Sequence, residues 1–177
     1  MCRCGLLSPR TILAHCCHLS DAEVSLLVTT GAGVSHCPNS NFSLKSGVCD
    51  VRRLRRAGVK VGLGTDCSGG FSPSMLDSMR MAVMASNTLT FNNPSYQPLQ
   101  FSDSLYLATR GSAGLLCLED SLGSLDQGKK ADILLVDMNG KIQNSTIALL
   151  TKIFQLNLTQ NYLGVRAAVM LSASLCS

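Results

Sequence analysis

Residues 59–66, with the sequence Val-Lys-Val-Gly-Leu-Gly-Thr-Asp, alternate apolar side chains with polar or small ones and end in a carboxylate. This alternation predicts a buried β-strand, and the Cys-Ser-Gly-Gly that follows Asp66 predicts a tight turn. In parallel α/β folds, chemistry is carried by the residues that follow the carboxyl ends of the strands. Asp66 is therefore a candidate site residue, although these residues alone fit equally well an acid that caps the next segment.

Two further strands are predicted upstream, and each runs into a histidine. Residues 11–14 form a short apolar run that stops at His15, and residues 34–38 contain the next strand candidate with His36 within it. The Pro-Asn-Ser-Asn sequence of residues 38–41 is typical of a loop. Metal-capable side chains thus recur where predicted strands end.

Helices are predicted between these strands. Ser20 and Glu23 have the spacing of a capping box, which predicts a helix from there to about Thr30, closed by Gly31. The other predicted elements are a helix over residues 50–57, a helix that Ser74 caps, an amphipathic helix over residues 102–116 and an apolar strand over residues 131–137.

Alternation of strands and helices is the pattern of a (β/α) barrel. A whole barrel of this type takes about 250 residues, whereas this chain has 177. The prediction is therefore an α/β fold: a partial (β/α) TIM-type barrel, the second half, with a small β-sandwich fragment after it.

Composition limits the class of protein. With 46% hydrophobic and 15% charged residues and a net charge of +4, the chain is globular. The arginines of residues 52–56 are interpreted as a solvated helix face, so no nucleic-acid partner is predicted. No apolar run is long enough to span a bilayer, and nine scattered cysteines without a signal peptide predict a reduced, cytoplasmic protein with no membrane partner.

Other site chemistries are less consistent with the pattern. A zinc site that joins the N-terminal cysteines to His15 and His18 lacks spacings that close a tetrahedral site, and His18 is better explained as a surface or helix-entry residue. Cys37 and Cys67 could act as nucleophiles only beside a base. His36 precedes Cys37 directly, so on a strand the two would point to opposite faces.

Taken together, several segments resemble the second half of a metal-dependent amidohydrolase, in the order and spacing of that family. They are residues 12–16 (ILAHC), 35–41 (SHCPNSN) with Leu44, Ser46 and Gly47, 61–66 (VGLGTD), 108–113 (ATRGSA) and 123–132 (GSLDQGKKAD). Within that superfamily, residues 69–77 (GGFSPSMLD) and the Arg80 to Asn87 stretch are most similar to guanine deaminases. The resemblance covers about residues 11–150.

The resemblance implies a zinc-dependent hydrolase of carbon–nitrogen bonds in cyclic amidines, with guanine as substrate and one zinc ion as cofactor. In such enzymes a zinc-bound water attacks the amino-bearing carbon of guanine, giving xanthine and ammonia. Asp66 matches the family's zinc-ligating Asp of the eighth strand, and His15 matches the sixth-strand His that orients the water. The His-x-His pair, the fifth-strand His and its Glu have no match in this sequence.

The resemblance also divides the chain into four regions: a divergent N-terminal stub (1–10), the C-terminal half of the barrel (11–119), a β-sandwich element (120–150) and a divergent tail (151–177). Because one zinc ligand of four is matched, the chain is expected to be a truncated guanine deaminase that is inactive alone. Two alternatives stay open: another purine or triazine aminohydrolase, and a non-catalytic isoform that pairs with the full-length enzyme or forms a homodimer. Half a barrel would leave two exposed sheet edges, which favours such pairing.

Overall fold

A computed structural model describes residues 5–130 and two short strands beyond them. Its central feature is a parallel sheet in the order β1-β2-β3. The strands are β1 (Ile12–Ala14), β2 (Gly33–His36) and β3 (Lys60–Leu63). The three predicted strands are confirmed, and with the helices between them they give an α/β fold with a small parallel sheet.

Helices follow each strand. They are α1 (Asp21–Thr30), α2 (Pro38–Ser43), α3 (Val51–Arg56), α4 (Met75–Thr88), α5 (Phe101–Tyr106) and α6 (Ser112–Leu115), with a 3-10 turn at Leu89–Phe91. The predicted helix over residues 102–116 is present, but its middle, Leu107–Gly111, is a π-helix that joins α5 to α6. Among the described helices, none has both the length and the apolar character needed to cross a membrane.

The start of α1 confirms the predicted capping box. The Ser20 side chain accepts a hydrogen bond from the backbone N–H of Glu23, and the Glu23 carboxylate accepts one from the backbone N–H of Ser20 at 2.8 Å. At the other end, Gly31 has a φ of 69° and its N–H donates to the Val28 carbonyl. Local chemistry therefore sets both ends of this helix.

The predicted loop at residues 38–41 is wrong, because these residues begin α2. Pro38 occupies the first turn, where its fixed φ suits a helix and its missing N–H is not needed. All four residues are buried, so tertiary packing overrides the turn preference of Asn and Ser.

Helix α4 begins at the predicted position, with Ser74 as the N-cap residue, but the expected capping bond is absent because the Ser74 side chain bonds no N–H of the first turn. The hydroxyl of Ser72 instead accepts from the Ser74 N–H at 3.1 Å and donates to the Asp77 carboxylate at 2.6 Å. Ser72 thereby joins the residue before the helix to its first turn.

Three of the four arginines of α3 make contacts within the molecule, which corrects their interpretation as a solvated face, whereas Arg56 is exposed. Arg52 bonds the Asp103 carboxylate at 2.8 Å and Arg53 that of the first residue of α1 at 2.6 Å. The guanidinium of Arg55 lies 4.6 Å from the centre of the Tyr106 ring. Helix α3 is therefore tied to α1 on one side and to α5 on the other.

The core lies between the sheet and its helices. Its buried members come from every layer: Val24, Leu27, Ala32, Val34, Cys49, Val51, Leu54, Val59, Val61, Leu63, Met79, Ala82, Leu99 and Leu107. The apolar positions predicted on β3 are thus confirmed as buried.

The outer edge of β3 is covered rather than exposed. The Leu63 N–H donates to the Ser112 hydroxyl at 3.1 Å, and a Cβ placed on Gly111 would lie 2.8 Å from the Val61 carbonyl oxygen. The π-helix and α6 therefore pack against this edge, which removes one of the two open sheet edges expected from the sequence.

A separate antiparallel pair lies in the C-terminal part of the chain. Strand β4 (Leu134–Val136) falls within the predicted strand at residues 131–137 and pairs with β5 (Ala167–Val169). The remainder of the predicted β-sandwich element beyond residue 130 lies outside the described residues, and its architecture stays a prediction.

Candidate functional site

The carboxyl ends of the three parallel strands lie at one edge of the sheet, and the structure brings two predicted residues together there. His15 follows β1 directly, and Asp66 follows β3 after two intervening residues. The His15 Nε2 atom lies 3.8 Å from the Asp66 Oδ2 atom, and the two side chains are 40% and 37% exposed. The two candidates therefore form an open pair, although 51 residues of sequence separate their positions.

Both residues adopt a backbone conformation that L-residues seldom use. The φ angle is 67° at His15 and 46° at Asp66, and neighbouring Cys16 has a φ of 52°. For residues other than glycine this left-handed region carries strain, and such strain concentrates at functional sites. Tertiary contacts must hold the two strand ends in place.

A buried amide sets the orientation of the His15 ring. Asn41 of α2 is 1% exposed, and its Oδ1 atom lies 2.9 Å from His15 Nδ1. An amide oxygen accepts hydrogen bonds, so this contact fits a proton on Nδ1. The other ring nitrogen, Nε2, is left facing Asp66. Sequence reasoning missed Asn41, since a Pro-Asn-Ser-Asn sequence gives no local sign of a buried helix.

The His15 Nε2 and Asp66 Oδ2 atoms are close enough to share one oxygen atom. Their 3.8 Å separation exceeds the length of a direct hydrogen bond, yet a single oxygen can lie at hydrogen-bond distance from both atoms. The arrangement can hold a water molecule between a ring nitrogen and a carboxylate.

The glycine turn after Asp66 packs directly on α2. A Cβ placed on Gly69 would lie 2.7 Å from the Asp66 Oδ2 atom and 2.7 Å from the Ser40 hydroxyl. The Asp66 carbonyl accepts hydrogen bonds from the N–H groups of Gly69 and Gly70, at 3.0 and 2.8 Å. Glycine is needed at position 69 because any side chain there would displace the carboxylate.

His36 ends the middle strand but is not part of this open pair. It is 1% exposed, and neither ring nitrogen has a hydrogen-bond partner among the described residues. Burial, with a smaller contribution from the charge of His15, lowers the pKa of His36 to about 4. The ring is therefore neutral at neutral pH.

The buried thiols are poor nucleophiles. Burial raises the pKa of Cys16 to about 11 and also raises the pKa of Cys37 and of Cys49. Since the thiolate is the reactive form, the hypothesis of a Cys37 nucleophile loses support. His18 is exposed, and its Nε2 atom lies 2.7 Å from the Ser46 carbonyl oxygen, which agrees with its interpretation as a surface residue.

A catalytic zinc ion ordinarily has three protein ligands. Within residues 5–130 there is no group of three His, Cys, Asp or Glu side chains placed to hold a metal ion. At this edge of the sheet, Asp66 with His15 beside it supplies part of such a set of metal ligands. These residues by themselves do not fit a zinc ion.

Known proteins are similar to this chain over most of its length. The model of the amidohydrolase family matches residues 2–165. A guanine deaminase of Dictyostelium discoideum is 46% identical over 133 residues, which are 75% of this chain and 30% of that protein. A 5-methylthioadenosine/S-adenosylhomocysteine deaminase of Moorella thermoacetica is 40% identical over 135 residues, 76% of this chain and 31% of that protein. The chain thus spans about a third of the length of these relatives.

Solved structures agree with the sequence matches. The E. coli guanine deaminase superposes with a TM-score of 0.78 at 28% identity, over 87% of this chain and 37% of that one. A guanine deaminase from C. acetobutylicum with guanine bound in its active site gives a TM-score of 0.76 at 28% identity, over the same shares of the two chains. The sheet, its strand-end residues and these similarities lead to one conclusion: the chain belongs to the amidohydrolase family.

Proposed function

We propose that this chain carries part of the active site of a guanine deaminase-like aminohydrolase. The observation that carries the proposal is the His15–Asp66 pair at the carboxyl edge of a parallel sheet, whose Nε2 and Oδ2 atoms, 3.8 Å apart, are close enough to share one oxygen atom. Identity of 46% to a guanine deaminase, and structural similarity to one with bound guanine, support guanine as the substrate. In guanine catabolism the reaction consumes guanine and water and releases xanthine and ammonia.

Each residue of the pair has a proposed role. The oxygen of a water molecule adds to the amino-bearing carbon of guanine, the carbon–nitrogen bond breaks and ammonia leaves. His15 would orient that water through Nε2, and Asp66 would accept a proton from it and pass that proton to the departing amino nitrogen, because Nε2 and Oδ2 are close enough to share one oxygen. Asp66 is also the proposed zinc ligand of this chain. Since the described residues do not fit zinc by themselves, no step is assigned to the metal.

Turnover with and without the rest of the barrel is the direct test. The purified chain, supplied with zinc, is incubated with guanine, alone or together with the N-terminal part of a guanine deaminase, while xanthine, ammonia and bound metal are measured. Because one zinc ligand of four is matched, the chain alone should bind little zinc and release neither product. Zinc-dependent release of both products by the mixture supports the proposal, and a folded mixture that binds zinc and releases neither contradicts it. Turnover by the chain alone at the rate of a complete enzyme would refute the importance of the missing ligands.

Asp66→Asn separates chemistry from folding. Asparagine tolerates the left-handed backbone that residue 66 adopts, so the variant should fold with an unchanged free energy of unfolding. It loses the proton acceptor, and in the zinc-loaded mixture with the N-terminal part of a guanine deaminase we expect kcat/KM for guanine to fall by about 1,000-fold. The matched control is Asp21→Asn, since the Asp21 side chain is 97% exposed on α1 and its loss should leave turnover unchanged. Equal activity of the two variants would refute the role of Asp66.

A second aminohydrolase activity has support of its own. The 40% identity to a 5-methylthioadenosine/S-adenosylhomocysteine deaminase makes other amino-purines reasonable substrates, and a triazine hydrolase gives a TM-score of 0.65. A panel of guanine, adenine nucleosides and an amino-triazine, each assayed for ammonia release, distinguishes these activities. Preference for an adenine nucleoside would overturn guanine as the substrate.

We also propose cytoplasmic residence, which fits guanine as a soluble substrate. A homodimer, or pairing with a longer copy of the enzyme, would bring further side chains to the edge where Asp66 lies. Light scattering of the purified chain, with and without a full-length guanine deaminase, tests the pairing. A chain that stays monomeric and does not bind the longer enzyme would contradict the pairing.

We also propose the division of the chain into four regions, with boundaries after residues 10, 119 and 150.

A further inference from the structure

We propose that Asn41 is a positioning residue, which holds the proton of neutral His15 on Nδ1 and so directs Nε2, as a hydrogen-bond acceptor, toward Asp66. This inference rests on the proposed function, because it explains how His15 would be kept ready to hold a water molecule. Asn41 does not touch the space between His15 and Asp66; it acts through the histidine ring.

The bond joins a buried amide to a half-exposed ring. Asn41 is 1% exposed, whereas the His15 side chain is 40% exposed. The backbone of Asn41 is bonded on both sides: its N–H donates to the Cys37 carbonyl at 3.0 Å, and its carbonyl accepts from the Ser46 N–H at 2.8 Å. The side-chain amide is held by burial, since its Nδ2 atom has no hydrogen-bond partner among the described residues, and the His15 ring is oriented by its contact with Oδ1.

The backbone of His15 is fixed independently of its ring. The His15 N–H donates to the Ser35 carbonyl on β2 at 3.0 Å, and the φ of 67° fixes the direction in which the side chain leaves the strand. Rotation of the ring about its own axis is left to side-chain contacts. The 2.9 Å contact with Asn41 Oδ1 removes that freedom, because only one ring edge can meet the amide oxygen.

The chemistry of the amide then decides the tautomer. A neutral histidine carries one proton, and the hydrogen bond made by one ring nitrogen determines whether the other is a donor or an acceptor. An amide oxygen accepts only, so the proton lies on Nδ1 and the lone pair on Nε2. Exchange of a proton between the ring and a held water is thereby restricted to Nε2.

The test compares Asn41→Leu with Asn39→Leu. The two asparagines lie on the same helix and are buried to 1% and 0% exposure, but Asn41 is the one that contacts His15. The ring nitrogens are read by nitrogen-15 NMR at pH 8, above the ordinary pKa of histidine, and the sequence has three histidines to assign. We expect Nδ1-protonated His15 in the native chain and in Asn39→Leu. In Asn41→Leu the ratio of the two tautomers should shift by about fivefold toward protonated Nε2.

Two more variants keep the test decisive. Asn41→Asp retains an acceptor oxygen at the same place and should keep His15 protonated on Nδ1. Asn41→Ala replaces Asn41→Leu if the latter fails to fold by circular dichroism. A folded Leu or Ala variant with the native tautomer ratio would overturn the proposal.

Turnover gives a separate result. In a preparation that deaminates guanine, Asn41→Leu should lower kcat by about 10-fold to 100-fold, with KM changed by less than about threefold, and Asn39→Leu should not. A shifted tautomer with an unchanged kcat would overturn the positioning role. Absence of guanine turnover in the zinc-loaded mixture of the native chain with the N-terminal part of a guanine deaminase would refute the proposed function, and the tautomer measurement would still decide the inference about Asn41.

Discussion

His15 and His36 lie at the ends of neighbouring strands of one sheet, yet their surroundings are opposite. The His15 side chain is 40% exposed, bonded to Asn41 and 3.8 Å from a carboxylate. The His36 side chain is enclosed, and neither nitrogen has a partner within residues 5–130. Burial lowers the pKa of His36 to about 4. The same residue type thus forms part of an open polar site on β1 and a neutral part of the interior on β2.

The difference extends to the strand ends as a whole: the outer strands and the middle strand end in different surroundings. The two outer strands end in residues with strained left-handed backbones, His15 and Asp66, and these face solvent. The middle strand ends in the buried His36 and leads directly into the buried α2. We call the buried His36 and the buried residues 38–41 the closed centre, and the exposed strand ends at His15 and Asp66 the open rim. Substitutions in the two regions should have different effects.

The largest expected effect is acid sensitivity caused by the closed centre. The native pKa of His36, about 4, lies below the ordinary value near 6.5, so between these values the unfolded chain binds more protons than the native one. The free energy of unfolding should fall as the pH drops from 6.5 to 4, by about 3 kcal/mol. Urea unfolding over this pH range measures the loss.

His36→Leu should abolish most of that loss, because leucine has no proton to gain. His15→Gln, at the open rim, should leave the acid sensitivity in place. The contrast between the two histidines fails if His36→Leu remains as acid-sensitive as the native chain.

A smaller effect is expected where the sheet packs on α6. A Cβ placed on Gly62 of β3 would lie 2.9 Å from the Ser112 Cα atom and 2.9 Å from the Leu115 Cδ2 atom. Because a backbone atom cannot move aside freely, Gly62→Ala should lower the free energy of unfolding by about 2 kcal/mol.

Gly114→Ala provides the matched control on α6. A Cβ there would meet nothing within 4 Å, so alanine should raise the free energy of unfolding by about 0.5 kcal/mol through its better helix propensity. Chemical denaturation of both variants gives the comparison. Equal effects would mean that close packing does not hold the centre of the sheet.

The smallest effect concerns strain at the open rim. Ser68, in the turn after Asp66, is exposed and has a φ of 106°, a conformation that glycine adopts without steric cost. Ser68→Gly should raise the free energy of unfolding by about 1 kcal/mol. Ser68→Ala keeps the Cβ and the strain, so its stability should match that of the native chain. Thermal unfolding that ranks alanine equal to glycine would argue against strain at this turn.

Much of the fold follows from local sequence signals. Alternating apolar residues predict β3, and the Ser20–Glu23 spacing predicts the start of α1, since these signals act over a few residues. The helix at Pro38–Ser43 and the intramolecular bonds of Arg52 and Arg55 could not be predicted this way. Both depend on partners that lie far away along the chain.

The candidate site shows the same difference between local sequence signals and contacts between distant residues. The sequence by itself determined that strands end near His15 and Asp66 and that these residues match an amidohydrolase, because strand patterns and motif spacing are local properties. Only the tertiary structure decided that the two side chains lie 3.8 Å apart, that Asn41 bonds one of them and that His36 is sealed in the interior. The physical reason is that burial and hydrogen bonding depend on which residues the sheet brings together, and the pairing of parallel strands joins residues that are distant in sequence.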